Sequence, residues 1–565
     1  MSGADDSFSE ALAAAAEGLV YLPLGGAGEI GMNLYLYGCA GKWLMVDLGI
    51  SFAGETVPGV DIYMPDPGFI VSRREDLVGL VLTHAHEDHL GAVPYLWPKL
   101  RCPIYATPFA AGMLRTKLIE AGIEDEVDLN EVPLGGRIEL APFSVELITL
   151  THSIPEPNAL AIRTPFGTVL HTGDWKIDPE PLIGEVTDAE ALKDLGAEGP
   201  LAMICDSTNV FVDGESGSEA DVRAKLIELI GGYENRVAVA CFASNVARVE
   251  SIAAAAAASG RHAALIGRSL WRVSEVAREC GYLKDVPPFL TEHDVGHLPP
   301  EEVLLICTGS QGEPGAALTR IAAGDHPNVV LAAGDVVLFS SRIIPGNEKP
   351  VLGLQNQLAG RGVEVITNLD QPIHVSGHPA RGDLARMYRW VRPPVVVPMH
   401  GETRHLIEHA AFARACQVPE AIVATNGDVL RLAPGNVEVI AEVPSGRLAL
   451  DGNRLVPLEG DVLRARRRMM SHGTAVATVV LDGAGQLMGT PRLSVHGLFD
   501  ATGDEEDALA LDQVIGAIAD AVDGMGGSKR LDDEAVAEKV RLTVRRALKR
   551  IRGKRPLTEV HVVRV

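Results

Sequence analysis

Residues 81–96 read VLTHAHEDHLGAVPYL, a short apolar run followed at once by three histidines and two acids. The run predicts a strand ending at Leu82, which would set His84, His86, Asp88 and His89 on one tight loop at its C-terminal edge. Imidazoles and carboxylates converging on so small a volume point to a metal ion.

Three later stretches repeat the arrangement. THSIPEPNA places His152 just past an apolar strand, VLHTGDWKID places Asp174 past another, and VVVPMHGETRH places His400 after a wholly apolar run. Each alone is ordinary. One ligand type per strand end, recurring along the chain, is the pattern of a shared site carried on loops.

The 565-residue chain, of 60.0 kDa, exceeds what one hydrophobic core normally serves, so two or three domains are expected. With 47% hydrophobic and 22% charged residues it can fill those cores. Seven scattered cysteines without a C-x-x-C pair fit a reducing cytoplasm better than a disulfide scaffold. MSGADDSFSEALAAAAEG shows no basic leader, and no segment offers an apolar span of membrane length, so a cytoplasmic protein with no membrane partner is expected. A formal net charge of -25 argues against coating nucleic acid by long-range attraction alone, while leaving local basic channels open.

GGAGEIG, residues 25–31, has a G-x-G pattern at Gly26 and Gly28. A dinucleotide fingerprint would need a helix next, but NLYLYG and KWLMVDLG read as strands, so a tight turn near the site is expected instead. PIYAT (103–107), the helical FAAGMLRTKLIEAG and the strands of RIELAPFSVELITLTHS and ALAIRTPFGTVLHTGDWKID describe a layered α/β domain. ICDSTNV (204–210) ends a buried strand with Asp206. From about 209 to 365, further strand and helix units carry Ser, Asn and Gly at strand ends, enough for a second domain inserted into the first. HVSGHP then precedes the last ligand-bearing strand.

From about 441 the composition changes. PSGRLALDGNRLVPLEGDVLRARRRMMSHG reads as a bridge ending in a basic helix, and TAVATVVLDGAGQLMGTP as a strand, turn, strand hairpin. Val536, Val540, Val544, Leu548 and Ile551 share one face of a helix whose other faces carry Lys539, Arg541, Arg545, Arg546, Lys549 and Arg550. A small α/β domain closed by LTEVHVVRV would bury that apolar stripe.

The H-x-H-x-D-H pattern of His84, His86, Asp88 and His89 resembles the signature of the metallo-beta-lactamase superfamily. CFASN, GRS, CTGSQGEP, SSRIIPGNE and HVSGH together resemble its beta-CASP branch, and within it the ribonuclease J family, over nearly all of the chain after the first eighteen residues. The resemblance implies an αββα sandwich at 19–208 and 366–440, interrupted by an α/β beta-CASP domain at 209–365. A flexible segment at 1–18, a linker at 441–465 and a small C-terminal α/β domain at 466–565 complete the expected organisation, the last supporting subunit pairing and activity.

The same resemblance implies two Zn2+ per subunit, one held by His84, His86 and His152 and the other by Asp88, His89 and His400, with Asp174 bridging both. Imidazole and carboxylate suit zinc, and Mn2+ or Mg2+ stay open. Asp88, Asp206 and His378 become the catalytic candidates. His378 would act as general acid, while Asp206 would orient a ligand histidine or the water network, or else cap the TNV turn. Ser244, Asn245, Arg268, Ser269, His374, Ser376, Gly377 and His378 would surround a terminal nucleotide and its 5′ monophosphate, with Arg268 alternatively a surface helix residue. VFVDGESGSEADV is more acidic than the family's usual loop, and Leu270 stands where methionine is common; neither touches an expected ligand.

Three classes of function follow. The first is a metal-dependent 5′ to 3′ exoribonuclease with internal cleavage, acting on single-stranded RNA in processing and decay, as a homodimer or tetramer and in an RNA-degradation complex. The second is a small-molecule metallohydrolase, and the third a catalytically silent RNA-binding assembly subunit. The inserted domain and HVSGH favour RNA over a small substrate, and the complete ligand set disfavours a silent subunit.

Overall fold

Apolar runs at 19–25, 34–39, 42–46 and 77–81 become neighbouring strands of an eight-stranded sheet. The strands Phe143–Thr149, Asn158–Thr164, Gly167–His171, Ala202–Asp206 and Val395–Met399 follow one another in a seven-stranded sheet. These are seen in a computed structural model that describes residues 2–54, 57–500 and 505–565, with side chains from residue 8. The chain divides into two units, Met1–Ser51 with Met64–Gly446, and Phe52–Tyr63 with Arg447–Val565.

In the first unit the two sheets face each other. One buried cluster takes Tyr21, Leu44 and Val81 from the first sheet and Leu160, Ile204 and Val397 from the second. Because side chains alternate along a strand, Met203 and Cys205 turn the other way and pack against Leu192, Leu384 and Ala410 of covering helices. The result is the expected αββα sandwich.

The insertion is visible in the strand register. Ala202–Asp206 and Val395–Met399 are parallel neighbours, with Ile204 opposite Val397, although almost two hundred residues separate them. Between them in sequence lies a five-stranded parallel sheet in the order His262–Ile266, Val303–Cys307, Val237–Ala240, Val336–Phe339 and Glu364–Ile366. Separate cores cover its two faces, which is why its strands read as unbroken apolar runs.

In the second unit, Thr474–Leu481 lies between Arg492–His496 and Leu557–Arg564. Ala475, Ala477, Val479 and Leu481 face Val536, Val540, Val544 and Leu548 of the helix Asp533–Arg552, so the apolar stripe is buried as its spacing predicts. Among the described residues, no helix is long and apolar enough to cross a membrane. All seven cysteines are free.

Three expectations are corrected. Residues 1–18, read as a flexible segment, contain the helix Ser2–Glu17. Alanine-rich sequence forms a helix at little entropic cost, and buried Ala11 and Ala15 fit a surface where a Cβ at Gly38 would approach Ala15 to 2.8 Å. Much of 441–465, read as a linker, is the antiparallel pair Arg447–Asp451 and Arg454–Pro457, beside the strand Ile62–Pro65. LALDGNRLVP is a hairpin pattern turning at Gly452, whose φ is +63°. The hairpin expected within TAVATVVLDGAGQLMGTP does reverse there, with Met488 N–H donating to Val480 O at 2.7 Å and a bridge between Leu481 and Leu487, but no regular strand follows the turn directly. The partner strand begins at Arg492 instead, because Pro491 has no N–H to give a ladder.

Candidate metal centre

The strand Leu77–Val81 ends one residue before the predicted point, and a one-turn helix, Glu87–Leu90, follows His86. That helical turn is fastened to its neighbours by backbone. Leu48 N–H donates to His89 O at 2.7 Å, Ile50 N–H to Glu87 O at 3.0 Å, and Asn33 N–H to Asp88 O at 2.9 Å. This close approach requires glycine at position 49, where a Cβ would sit 1.6 Å from the Asp88 carbonyl oxygen.

On that base the predicted ligands meet. His84, His86, His152 and Asp174 offer ligand atoms all within 4.8 Å of one another, and so do Asp88, His89, Asp174 and His400. In the first group, His86 Nδ1 lies 3.0 Å from His84 Nε2 and 3.1 Å from His152 Nε2. In the second, His89 Nε2 is 3.2 Å from Asp174 Oδ2, and His400 Nε2 is 3.1 Å from Asp88 Oδ2. Asp174 Oδ2 is also 4.0 Å from His84 Nε2 and 3.9 Å from His152 Nε2, so one carboxylate reaches both groups. Its Oδ1 is buried without a hydrogen-bond partner. An orphaned, buried carboxylate oxygen among converging imidazole nitrogens fits a pair of cations.

The far sides of the rings are fixed by acceptors that sequence reasoning did not assign. His89 Nδ1 lies 2.7 Å from Asp47 Oδ2, which also accepts from Thr83 Oγ1 at 2.9 Å. His84 Nδ1 lies 3.0 Å from Thr83 Oγ1, His152 Nδ1 2.5 Å from Gly377 O, and His400 Nδ1 2.8 Å from Thr208 Oγ1. With those nitrogens donating, each Nε2 lone pair points inward, the arrangement that metal-ligating histidines use. Asp47 and His400 sit at φ +60° and +49°, left-handed conformations just past the ends of their strands.

The electrostatics divide the two groups. Burial holds His84 and His152 well below the usual imidazole range and takes His86 down to about 4, so these rings are neutral. Burial would raise Asp88 and Asp174, but cationic histidines outweigh it, with His89 foremost at Asp88 and His400 at Asp174, and both stay ionised. Burial would likewise lower His400, yet Asp174, Asp206 and Asp88 push it up to about 10. A cation taken up there displaces a proton.

His378 belongs to a third group with Asp174, Asp206 and His400. Its Nδ1 lies 2.8 Å from Asp206 Oδ2. Asp206 Oδ1 accepts from Thr208 N–H at 2.9 Å, the turn-capping contact, and lies 3.7 Å from His400 Nδ1. Asn209 Nδ2 donates to Ser376 Oγ at 2.7 Å and to His378 O at 3.0 Å, and Arg342 donates to Asn209 Oδ1 at 2.5 Å.

The other expected phosphate contacts are less uniform. Gly377 lies against His152, where a Cβ would come within 2.6 Å of the ring. Asn245 is buried and caps the helix Val246–Ala258 by accepting from Arg248 N–H, and Ser244 is half-buried beside it. His374 is held through its backbone N–H by Asn368, and Arg248 lies 3.4 Å from its ring. Arg268 and Ser269 are exposed at the start of the helix Arg268–Glu279.

Two clusters of imidazole and carboxylate that share Asp174, at strand ends of a two-sheet sandwich, define a class: a fold suited to two-metal hydrolysis. Family models divide the chain accordingly. Residues 28–202 match the metallo-beta-lactamase superfamily, 234–358 the ribonuclease J beta-CASP domain, 362–417 a Zn-dependent metallo-hydrolase RNA specificity domain, and 461–565 the ribonuclease J C-terminal domain. Ribonuclease J of Sinorhizobium meliloti is 45% identical over 555 residues, covering 97% of this chain and 98% of its own. Ribonuclease J of Mycolicibacterium smegmatis is 40% identical, covering 93% and 94%, and that of Thermus thermophilus 36%, covering 81% and 82%. A solved structure from Enterococcus faecalis, a protein of unknown function, shares the fold at a TM-score of 0.51 and 16% identity, over 73% of this chain and 99% of its own. This chain belongs to the ribonuclease J family.

Proposed function

We propose that the chain is a metal-dependent ribonuclease that hydrolyses single-stranded RNA, releasing nucleotides 5′ to 3′ from monophosphate ends and also cutting internally. The observation that carries the reading is Asp174, within reach of two histidine clusters in a chain of the ribonuclease J family. His84, His86 and His152 would hold one cation and Asp88, His89 and His400 the other, with Asp174 shared. Zinc suits this ligand set, and manganese or magnesium would serve in its place. Such cations, when bound, supply an activated water and offset charge on the phosphate.

The protein's own groups handle the leaving side. Asp206 holds His378 through Nδ1, and burial, which would lower that ring, is outweighed by Asp206 and Asp174, so it stays protonated above its ordinary range. Nε2 is then the donor to the departing 3′ oxygen. Ser376, Gly377 and His374, with Ser244, Asn245, Arg268 and Ser269, would supply donors to a terminal phosphate. Family membership supports a homodimer or tetramer working in the cytoplasm within an RNA-degradation complex.

Matched single-stranded RNAs bearing a 5′ monophosphate, triphosphate or hydroxyl, labelled separately at each end, test this reading in one time course. The expected result is release of 5′ mononucleotides, fastest from the monophosphate. Shortening from the 3′ end, or no cleavage of any RNA by metal-replete protein, would overturn it.

A further inference from the structure

Residues 539–555 read KVRLTVRRALKRIRGKR, nine Lys and Arg without one acid, in a chain of formal net charge -25. Residues 447–565 hold 19 of the chain's 50 Lys and Arg but only 17 of its 75 Asp and Glu. Basic charge is therefore concentrated in the second unit, away from the predicted metal ligands in sequence.

The fold gathers part of it further. The helices Asp461–His472 and Asp533–Arg552 both pack on the strand Leu557–Arg564. Lys554 Nζ donates to Ser471 O at 3.0 Å, tying the end of the first helix to the loop that follows the second. Several arginines nearby are neutralised. Arg541 pairs with Glu538 at 2.6 Å, Arg552 with Asp507, Arg464 with Asp461 at 2.7 Å and Arg466 with Asp451 at 2.8 Å.

Arg468, Arg545 and Arg555 make no ion pair among the described residues, and Arg545 Nε is buried without a hydrogen-bond partner. Burial and then the charges of Arg541, Arg468 and Arg555 depress the Arg545 guanidinium below its usual range, while Glu538 opposes them. Arg468 and Arg555 are near enough to Arg545 to repel its charge, a cost that a polyanion would relieve. Guanidinium forks match phosphate oxygens two at a time. Met469 and Met470, 40% and 62% exposed beside Arg468, add apolar surface for bases, which favours a nucleic acid strand over an acidic protein.

We propose that Arg468, Arg545 and Arg555 form a phosphate-binding patch on the second unit that grips the backbone of single-stranded RNA. The proposal rests on the ribonuclease reading above and adds to it a second place where the strand is held. The full-length Arg468→Gln/Arg545→Gln/Arg555→Gln variant and wild type are compared for binding a labelled oligouridylate with chelator present, across a salt series. Each lost phosphate contact on a single strand removes about 0.7 from the slope of log affinity against log salt, so a fall of about 2 is expected, with affinity down about tenfold or more at low salt. The matching triple-Lys variant should retain most of the slope. Arg468→Gln alone, an exposed change that spares folding, should lose about 0.7. Hydrolysis of bis(p-nitrophenyl) phosphate should be unchanged.

An unchanged slope and affinity in the triple-Gln variant would overturn the patch. So would a loss confined to polyglutamate binding, which would mark an acidic-protein surface. Wild type that cleaves RNA while the variant binds normally counts against the patch alone. Wild type that cleaves no RNA removes the ribonuclease reading, and this proposal with it.

Discussion

Asp47 is not itself a predicted ligand, yet its carboxylate lies 2.7 Å from the Nδ1 of His89 and accepts from Thr83, which in turn meets His84. Asp47→Asn removes the charged acceptor while keeping the shape, and metal affinity is expected to weaken about 10- to 100-fold. Competition against a chromophoric chelator measures it, and unchanged affinity would mean that His89 needs no orientation. The seven candidate ligands were legible because each follows an apolar run that reads as a strand. Thr83 and Thr208 were not, since a threonine at a turn has no spacing that separates an acceptor for a ligand ring from an ordinary loop residue. His378→Ala should keep metal content and RNA binding and lose on the order of 10²-fold or more in single-turnover cleavage. A near-normal chemical rate would remove His378 from the mechanism.

The elements that carry the site are joined by buried charge. Arg248 pairs with Glu219 at 2.9 Å and donates to Ser340 O at 2.8 Å and Ile373 O at 3.2 Å, just before HVSGH. Neither partner is visible as a pair in the sequence, because they lie on two helices, Glu219–Gly231 and Val246–Ala258, whose packing only the fold reveals. Glu219→Ala leaves the guanidinium buried and uncompensated, an expected loss of about 3–5 kcal/mol in unfolding stability by urea titration. A loss under about 1 kcal/mol, the worth of a surface pair, would contradict that role. Elements marked by strong local pattern were legible, including the C-terminal helix with its valine stripe. The N-terminal helix was not, since alanine runs carry no amphipathic signal, and the return strand at Arg492–His496 was hidden by the intervening Gly489 and Pro491.

At the scale of the whole molecule, the insertion was legible from its own run of strand and helix units. The pairing of Ala202–Asp206 with Val395–Met399 was not, because register between strands so far apart in sequence leaves no local trace. The assembled core also sets an acid limit. Burial holds His409 down to about 4 and His171 down to about 3, whereas both titrate near ~6.5 in an unfolded chain. Below about 6.5 the unfolded chain binds protons that the fold refuses, so these histidines erode stability as pH falls toward 4 and 3. His409→Gln keeps hydrogen-bonding capacity toward Ser207 and Tyr388 and should make stability fall less steeply between pH 6.5 and 4. Urea titrations at several pH values read this out, and identical slopes for variant and wild type would contradict it.

The central claim is that one sandwich edge holds two cations through a shared aspartate. Anomalous diffraction from metal-replete crystals, collected on both sides of an absorption edge, counts and places those ions directly. The predicted result is two sites per chain, one among His84, His86 and His152, the other among Asp88, His89 and His400, with Asp174 touching both. A single site or none, with His84 and His400 ordered and uncoordinated, would contradict the account.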